Sequence, residues 1–487
     1  MAFYKTYWVV FIMAGVVSLV LTPLVIWLAK WLDIVDHPGN RKIHQQAVPL
    51  LGGLAVAVGM WLPVYALSFH SNLVNSNLFA QGRLVLLILL SGFIMLLVGV
   101  VDDIRGLNAR KKFLIQLPIA VALVLSGVRF SNITIPGLGT VPLDFIGPLL
   151  SIIWIIGITN AINLVDGLDG LAVGVALFAA GTNALIAIIH GNVVAAVLLT
   201  ALTGACLGFL PYNTNPARVF LGDTGSLFLG MTLAVSSMIT AQKGIMATSM
   251  LIPVLVLGYP IADTLLSMTR RAIRGKSMFS ADAGHIHHRL LHLGLTHRQS
   301  AFAIYLVCAL FSLLALVSVF QNSLGIAIGL VGVFFVSYTG LRTLGYWKTM
   351  VALLNSPERM KFKALNHYAE FAKCKIAIAE NQRQIIDLLQ GACQEYGKAG
   401  VRITLPNPAP NAQAIQYQWF LERDTSQTVP PGLTHDNHEF DSGLKIQFYF
   451  IPKANSDELH LEKRNLLAKI AEAADERFSQ IMAAPPS

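Results

Sequence analysis

The chain has 487 residues, 55% of them hydrophobic and only 13% charged, with a mean hydropathy of +0.62; soluble domains carry about a quarter charged residues, so a soluble fold is excluded and much apolar surface must face lipid. The formal net charge of +9 is uneven: residues 1–340 hold 18 Lys and Arg against 10 Asp and no Glu, and residues 341–487 hold 17 basic against 16 acidic side chains. Much of the basic excess sits in short loops between apolar runs, a topology pattern that argues against nucleic acid as a partner, and the four cysteines lack the spacing of a disulfide framework or thiolate metal site.

A membrane-crossing helix needs about 20 mostly apolar residues. Eleven runs qualify, near residues 7–31, 50–69, 84–101, 113–129, 148–163, 168–189, 193–212, 225–241, 246–269, 301–319 and 324–340. The first is longer than a signal-peptide core and lacks a cleavage region, so it reads as a retained span. With the N-terminus outside, the loops at 32–49, 102–112, around 160–169, 212–224 and 270–300 are cytoplasmic, as is the tail. Those five loops carry 13 Lys and Arg, whereas the opposite side carries Lys5, Arg83, Arg129 and Lys243, and this asymmetry sets the orientation. Nine of the ten Asp then fall on or near the cytoplasmic side, with Asp144 alone outside. Acids in a membrane domain are costly and mark function. Loop solvation accounts for Asp33 or Asp282 but poorly for Asp166, Asp169 and Asp223, which lie among Gly, Leu and Val.

Five segments on that face carry the chemistry. In the first cytoplasmic loop, Asp36-His37-Pro38-Gly39-Asn40-Arg41-Lys42-Ile43-His44, followed by Gly52-Gly53, forms a cationic, Gly-containing wall that alone would be an ordinary loop. Next, Asp102-Asp103 ends the third span, followed by Arg105 and the trio Arg110, Lys111 and Lys112. Adjacent carboxylates can share a divalent cation or raise each other's proton affinity, and the trio can hold an anionic headgroup or simply serve topology. The third, Asn160-Ala161-Ile162-Asn163-Leu164-Val165-Asp166-Gly167-Leu168-Asp169-Gly170, places Asn160 with Asn163 and Asp166 with Asp169 on one face if helical. Such an oxygen-rich set suits Mg²⁺ shared with substrate phosphates; polar glue between helices is the weaker reading, because paired acids are an expensive glue. The fourth, Gly222-Asp223-Thr224-Gly225-Ser226, opens the eighth span with a carboxylate beside backbone N–H groups that could receive phosphate. The fifth, His285-Ile286-His287-His288-Arg289, lies in a loop rich in Arg and Lys. Three imidazoles could ligate zinc, but no Cys or carboxylate pair accompanies them and the basic surroundings favour an anion, a diphosphate or a nucleotide.

The tail reads as a long amphipathic helix near 357–396, strands near 401–405, 415–422 and 443–451, and a charged helix near 457–482, with loops at 406–413 and 424–437. The expected fold class is therefore a polytopic α-helical membrane protein of about eleven transmembrane helices over residues 1–340, with a C-terminal α+β cytoplasmic domain over 341–487. The tail shows no motif that would be catalytic.

In this order and on this face, the five segments resemble the polyprenyl-phosphate N-acetylhexosamine-1-phosphate transferases, a membrane family of glycosyltransferases (family 4) that begins bacterial cell-envelope glycan synthesis. The match covers roughly residues 7–340 and rests on the Asp-Asp pair, the Asn-x-x-Asn-x-x-Asp-Gly-x-Asp-Gly run, the Gly-Asp-x-Gly-Ser turn and the His-x-His-His-Arg cluster. Its form is similar to the branch using UDP-N-acetylglucosamine and undecaprenyl phosphate, since the peptidoglycan translocase branch typically shows three consecutive histidines and Ile286 interrupts them here. Pro260-Ile261-Ala262-Asp263-Thr264 also matches, without a clear role, and the tail departs from most members.

The resemblance implies that a polyprenyl phosphate attacks the β-phosphorus of a UDP-sugar and releases UMP, with Mg²⁺ or a substituting Mn²⁺. It implies Asp223 and Asn163 as metal ligands, with Asp166 nearby in a metal or nucleotide role and Asp169 beside it in the catalytic run. Asp102 and Asp103 would position or deprotonate the lipid phosphate, while His285, His287, His288 and Arg289, with Lys42, His44, Asn160, Lys111 and Lys112, would bind the substrates. A bacterial inner-membrane location and a possible homodimer go with it. Two other classes are weaker fits. A membrane prenyltransferase would show Asp-x-x-x-Asp pairs in two helices, and a transporter would place acids near the bilayer midplane with paired repeats.

Overall fold

The computed structural model describes residues 2–36, 47–70, 73–135, 139–243, 251–274, 285–319, 331–332, 335, 338–340, 342, 357–396, 400–405, 415–420, 434–440, 444–450 and 458–483. Lys42, His44 and Asp282 lie outside them. The chain divides into two compact units, one of Met1–Arg270 with Met278–Lys348, the other of Arg271–Ser277 with Thr349–Ser487.

In the first unit, the apolar runs form α1 (Ala2–Trp31), α2 (Gly52–Ala66), the short α3 (Leu73–Ala80), α4 (Gly82–Arg105), α5 (Ala109–Leu125), α6 (Ile146–Val165), α7 (Leu171–Ile189), α8 (Val193–Asn213), α9 (Gly222–Lys243), α10 (Leu251–Val256), α11 (Gly258–Arg274), α12 (Ile286–His292) and α13 (His297–Val319). Among the described residues, eight helices are long and apolar enough to cross a membrane. The three other expected spans differ for separate reasons. The run 113–129 falls largely in α5, which has 17 residues and carries Arg110, Lys111 and Lys112 in its first turn. The described part of the run 246–269 is two helices, because Pro260 has no N–H to give the Val256 carbonyl, while Leu257 between them keeps its own bonds to Pro253 and Ile261. The run 324–340 lies mostly outside the described residues.

α9 is the axis of this unit. It packs on α2, α4 and α6 and is buried along its whole apolar stretch, polar Thr224, Ser226, Thr232 and Ser236 included. Such proximity depends on small residues. A Cβ on Gly99 of α4 would collide with the Asp223 carbonyl and Thr224 backbone, and one on Gly53 of α2 with the Gly225 backbone. The segment before α2 is tied on by backbone bonds: Phe220 donates to the Pro49 carbonyl at 2.9 Å, and Gly52 and Gly53 donate to Phe220 and Leu221 at 3.1 and 3.0 Å. The start of α9 is thus held by α4 on one side and α2 on the other. Two antiparallel hairpins, Val35–Asp36 with Val48–Pro49 and Asn132–Ile135 with Gly139–Pro142, were not expected from the sequence.

The second unit has its own core, centred on Ile385, Leu389, Tyr396, Ile403, Phe448 and Ile470. The expected helix 357–396 is two helices, α14 (Pro357–Ala377) and α15 (Gln382–Glu395); Asn381 accepts the Gln384 N–H at 3.0 Å as the cap that restarts the chain. Four strands form an antiparallel sheet in which Ile415–Phe420, Gly400–Leu405, Lys445–Phe450 and Thr434–Glu439 lie side by side in that order. α16 (Glu458–Ala483) completes the unit. The strand Thr434–Glu439 overlaps the end of the polar loop expected at 424–437 and runs beyond it. It is an edge strand of Thr, His, Asp, Asn and Glu with no apolar alternation to announce it, and its place comes from pairing with Lys445–Phe450.

Candidate functional site

Asp102 and Asp103 lie in the last turn of α4, where adjacent positions point about 100° apart, and their carboxylates do different work. Asp103 reaches the start of α9: its Oδ1 accepts the Asp223 N–H at 2.8 Å, and its Oδ2 accepts the Thr224 N–H at 3.1 Å and hydroxyl at 2.6 Å. The α9 N–H groups read from the sequence as open to phosphate are therefore already taken by a carboxylate. Gly222, at φ +71°, lets the chain turn into α9, and its missing side chain leaves room for Asp103.

Asp102, 7% exposed, turns toward α5. Its carboxylate accepts the Leu107 N–H and forms an ion pair with Lys112. The Lys112 ammonium bridges onward to Asp223 Oδ2 at 3.1 Å. Asp223 Oδ1 in turn accepts from the Asn163 amide of α6, and that same amide nitrogen lies 2.8 Å from the Ser226 hydroxyl. Four side chains from four helices thus meet at one point: Asp102, Lys112, Asn163 and Asp223.

α6 ends at Val165, so Asp166 and Asp169 do not share a helical face as the spacing suggested. They fall on a turn closed by Gly170 at φ +78° and diverge. The Asp169 carboxylate accepts from Asn215 Nδ2 at 2.8 Å and the Ala217 N–H at 3.0 Å, tying the turn to the loop before α9. Asp166 faces the other acids. Loss of water first, then the charges of Asp223, Asp103 and Asp169, hold its carboxyl well above the usual carboxylate range. Asn160 pairs with Gln116 of α5, donating at 2.7 Å, and also donates to the Ile156 carbonyl at 2.8 Å.

The histidine segment closes the other side. His285 Nδ1 lies 2.8 Å from Oδ2 of buried Asp263, whose Oδ1 accepts the Ile286 N–H at 2.7 Å. His287 stacks parallel to His285 at 5.7 Å and is 1% exposed, with neither ring nitrogen hydrogen-bonded among the described residues. Burial first, then His288, push its imidazole down to about 4. A Cβ on Gly167 would come within 2.6 Å of His287 Nε2, which puts this ring against the Asp166–Gly167 turn. His288 and Arg289 follow on α12, half-buried, and the Lys111 residue is exposed.

Reasoning from the sequence missed Gln116, Asn215 and Tyr305, whose hydroxyl donates to the Gly170 carbonyl at 2.7 Å. Gln116 left a signal, as the one carboxamide within the run 113–129. Asn215 and Tyr305 left none. Among the described residues, no three His, Cys, Asp or Glu side chains converge as a self-sufficient metal site. The oxygen-only set of Asp223, Asn163 and Asp166, with Asp166 crowded by like charge, nonetheless fits a hard divalent cation whose remaining ligands come from a substrate.

A family model for glycosyl transferase family 4 matches residues 85–241, the stretch carrying Asp102, Asp103, Asn163, Asp166 and Asp223. The chain is 39% identical over 310 residues to a probable undecaprenyl-phosphate N-acetylglucosaminyl 1-phosphate transferase of Bacillus subtilis (strain 168), covering 63% of this chain and 84% of that protein. It is 35% identical over 331 residues to the decaprenyl-phosphate N-acetylglucosaminephosphotransferase of Mycobacterium leprae (strain TN), covering 63% and 83%. Its similarity to a phospho-N-acetylmuramoyl-pentapeptide-transferase of Staphylococcus carnosus (strain TM300) is 32% over 308 residues, covering 58% and 90%.

Proposed function

The chain belongs to glycosyl transferase family 4 and is a polyprenyl-phosphate N-acetylglucosamine-1-phosphate transferase that initiates envelope glycan synthesis; from that premise we propose how its residues divide the reaction. The acceptor is undecaprenyl phosphate. One of its phosphate oxygens attacks the β-phosphorus of UDP-N-acetylglucosamine, the bond from that phosphorus to the bridging oxygen breaks, and UMP leaves with the electron pair. The lipid phosphate needs little help from a base at neutral pH, because its second pKa is near 6. Positioning and charge neutralisation therefore carry most of the rate.

The convergence of Asp102, Lys112, Asn163 and Asp223 supports this division. Asp223 and Asn163, with Asp166 beside them, would hold Mg²⁺, which Mn²⁺ can replace. When bound, the cation neutralises charge on the diphosphate and the departing UMP. Lys112, once its ion pair opens, offers its ammonium to phosphate, with Asp102 holding it in reach. Asp103 and Asp169 act by fixing the backbone around the site, the first at the start of α9 and the second at the loop preceding it. His285, His288 and Arg289, with Lys42 and His44 of the first loop, bind the sugar nucleotide.

The same reading places the N-terminus outside the bacterial inner membrane, the site and residues 341–487 in the cytoplasm, and eleven spans in total, with α5, the α10–α11 pair and residues 324–340 completing the count. Purified protein given radiolabelled UDP-N-acetylglucosamine, undecaprenyl phosphate and Mg²⁺ should form a lipid-linked sugar and UMP. Neither product with any of several UDP-sugars overturns the reaction. A cysteine in place of exposed Lys111 should react with an impermeant maleimide only in inside-out vesicles, and labelling in intact cells overturns the orientation.

A further inference from the structure

We propose that Asp263 is a positioning residue of this transferase: it fixes the ring of His285 so that Nε2 faces the sugar nucleotide as an acceptor for one of its hydroxyl or N–H groups. The proposal rests on the reaction assigned above and extends it to a residue with no role in that scheme.

Asp263 is 1% exposed, in α11, and both of its carboxylate oxygens are engaged by one short segment. Oδ1 accepts the Ile286 backbone N–H at 2.7 Å, and Oδ2 lies 2.8 Å from His285 Nδ1. With the carboxylate oxygen as acceptor, the proton of this contact sits on Nδ1, and Nε2 is the ring nitrogen turned away from Asp263. The two bonds reach adjacent residues, fixing the place of the His285 backbone together with the tilt of its ring. His287 holds the ring from a second direction, stacked at 5.7 Å with the planes 8° apart. His287 is itself packed on Gly167, next to Asp166. The Asp263–His285 pair therefore anchors the histidine segment to the acid cluster from outside that cluster. A carboxylate that only capped the start of the short α12 would need one of its oxygens; the second is spent on the imidazole.

Asp263→Asn separates these roles. Asparagine has the same shape and its carbonyl still accepts the Ile286 N–H, but its amide donates toward Nδ1 and forces the proton to Nε2. The KM for UDP-N-acetylglucosamine should rise about tenfold to a hundredfold, the loss typical when the partner orienting a ligand histidine is removed. The KM for undecaprenyl phosphate and the melting temperature should stay near wild type, and the ¹⁵N spectrum of His285 should change from the Nδ1–H to the Nε2–H form. His285→Gln, which leaves Asp263 in place, should raise the same KM, and the double variant should be no worse than His285→Gln alone. Wild-type protein that forms no lipid-linked sugar overturns the reaction and this proposal with it. In active protein, an unchanged nucleotide KM in either single variant, equal losses toward both substrates, or additive losses in the double variant overturn the proposal alone.

Discussion

Asp103 and Thr224 are joined twice across the α4–α9 contact, the Asp103 carboxylate accepting the Thr224 hydroxyl at 2.6 Å and its backbone N–H at 3.1 Å. With the Asp223 N–H on its other oxygen, Asp103 serves as the N-cap of a helix that begins inside the protein. Removing such a cap costs about 0.5–2 kcal/mol. Asp103→Ala should therefore lower the melting temperature in detergent and, by releasing the backbone of Asp223, abolish UMP release. Asp102→Asn should abolish turnover at a near-native melting temperature, because Asp102 caps no helix. Equal melting temperatures in the two variants would remove this distinction between the neighbours.

Asp223 sits between a cation and an amide, and its side chain is 31% exposed. Asp223→Asn keeps the size of the side chain but loses the ion pair with Lys112 and the charge that a divalent cation would meet. Turnover should fall below detection while expression and folding persist, since the substitution also relieves the repulsion felt by Asp166. Wild-type UMP release from the variant would take Asp223 out of the metal site.

Much of this site was legible because its chemistry needs residue types that a membrane domain otherwise excludes. Asp102, Asp103, Asp166 and Asp223 stand out against apolar runs, and all four come together in space. What each carboxylate does was not legible, because it depends on which way neighbouring side chains point at a helix end: Asp102 and Asp103 are adjacent in sequence and face different partners. Asp169 looked like a partner of Asp166 only while the turn was read as helix. Asp263 gave no hint of its imidazole partner, which lies 22 residues away in sequence. The edge strand Thr434–Glu439 was hidden for a related reason, as its structure is supplied by the strand beside it and not by its own pattern.

The buried His287 predicts a pH dependence of stability. Its imidazole is pushed down to about 4 by burial and then by His288, against an ordinary value near 6.5. Between these values the unfolded chain binds a proton that the folded chain does not, so stability rises with pH across this window and is lost as pH falls through it. Above 6.5 both states are neutral at this site and the dependence vanishes. His287→Leu should flatten the melting temperature measured between pH 4 and 6.5. A profile as steep as wild type would assign the dependence to other groups.

Residues 349–487 carry a core of their own, and no side chain of that core is needed by the reaction scheme. A chain ending after residue 348, which keeps only Arg271–Ser277 of that unit, should retain membrane-bound transferase activity within about twofold, since the core of the removed part is its own. Loss of activity with a native melting profile would make the tail part of the catalytic machinery.

Two glycines, one within α6 and one just past its C-terminal end, offer a matched test of how closely the histidine segment is seated. Gly167 lies just after α6, and a methyl group there would meet His287 Nε2 at 2.6 Å, in a ring that is 1% exposed and has no open direction to yield. Gly157 lies within α6, and a methyl group there would meet nothing within 4 Å. Gly157→Ala should be neutral or stabilising by up to about 1 kcal/mol, through helix propensity alone. Gly167→Ala should cost about 1–3 kcal/mol, the usual penalty for overpacking a buried contact. Because the ring it displaces stacks on His285, it should also raise the KM for UDP-N-acetylglucosamine more than the KM for undecaprenyl phosphate. If the two alanine variants match in melting temperature and in both KM values, His287 is not seated against the Asp166–Gly167 turn, and the histidine segment must reach the site by another route.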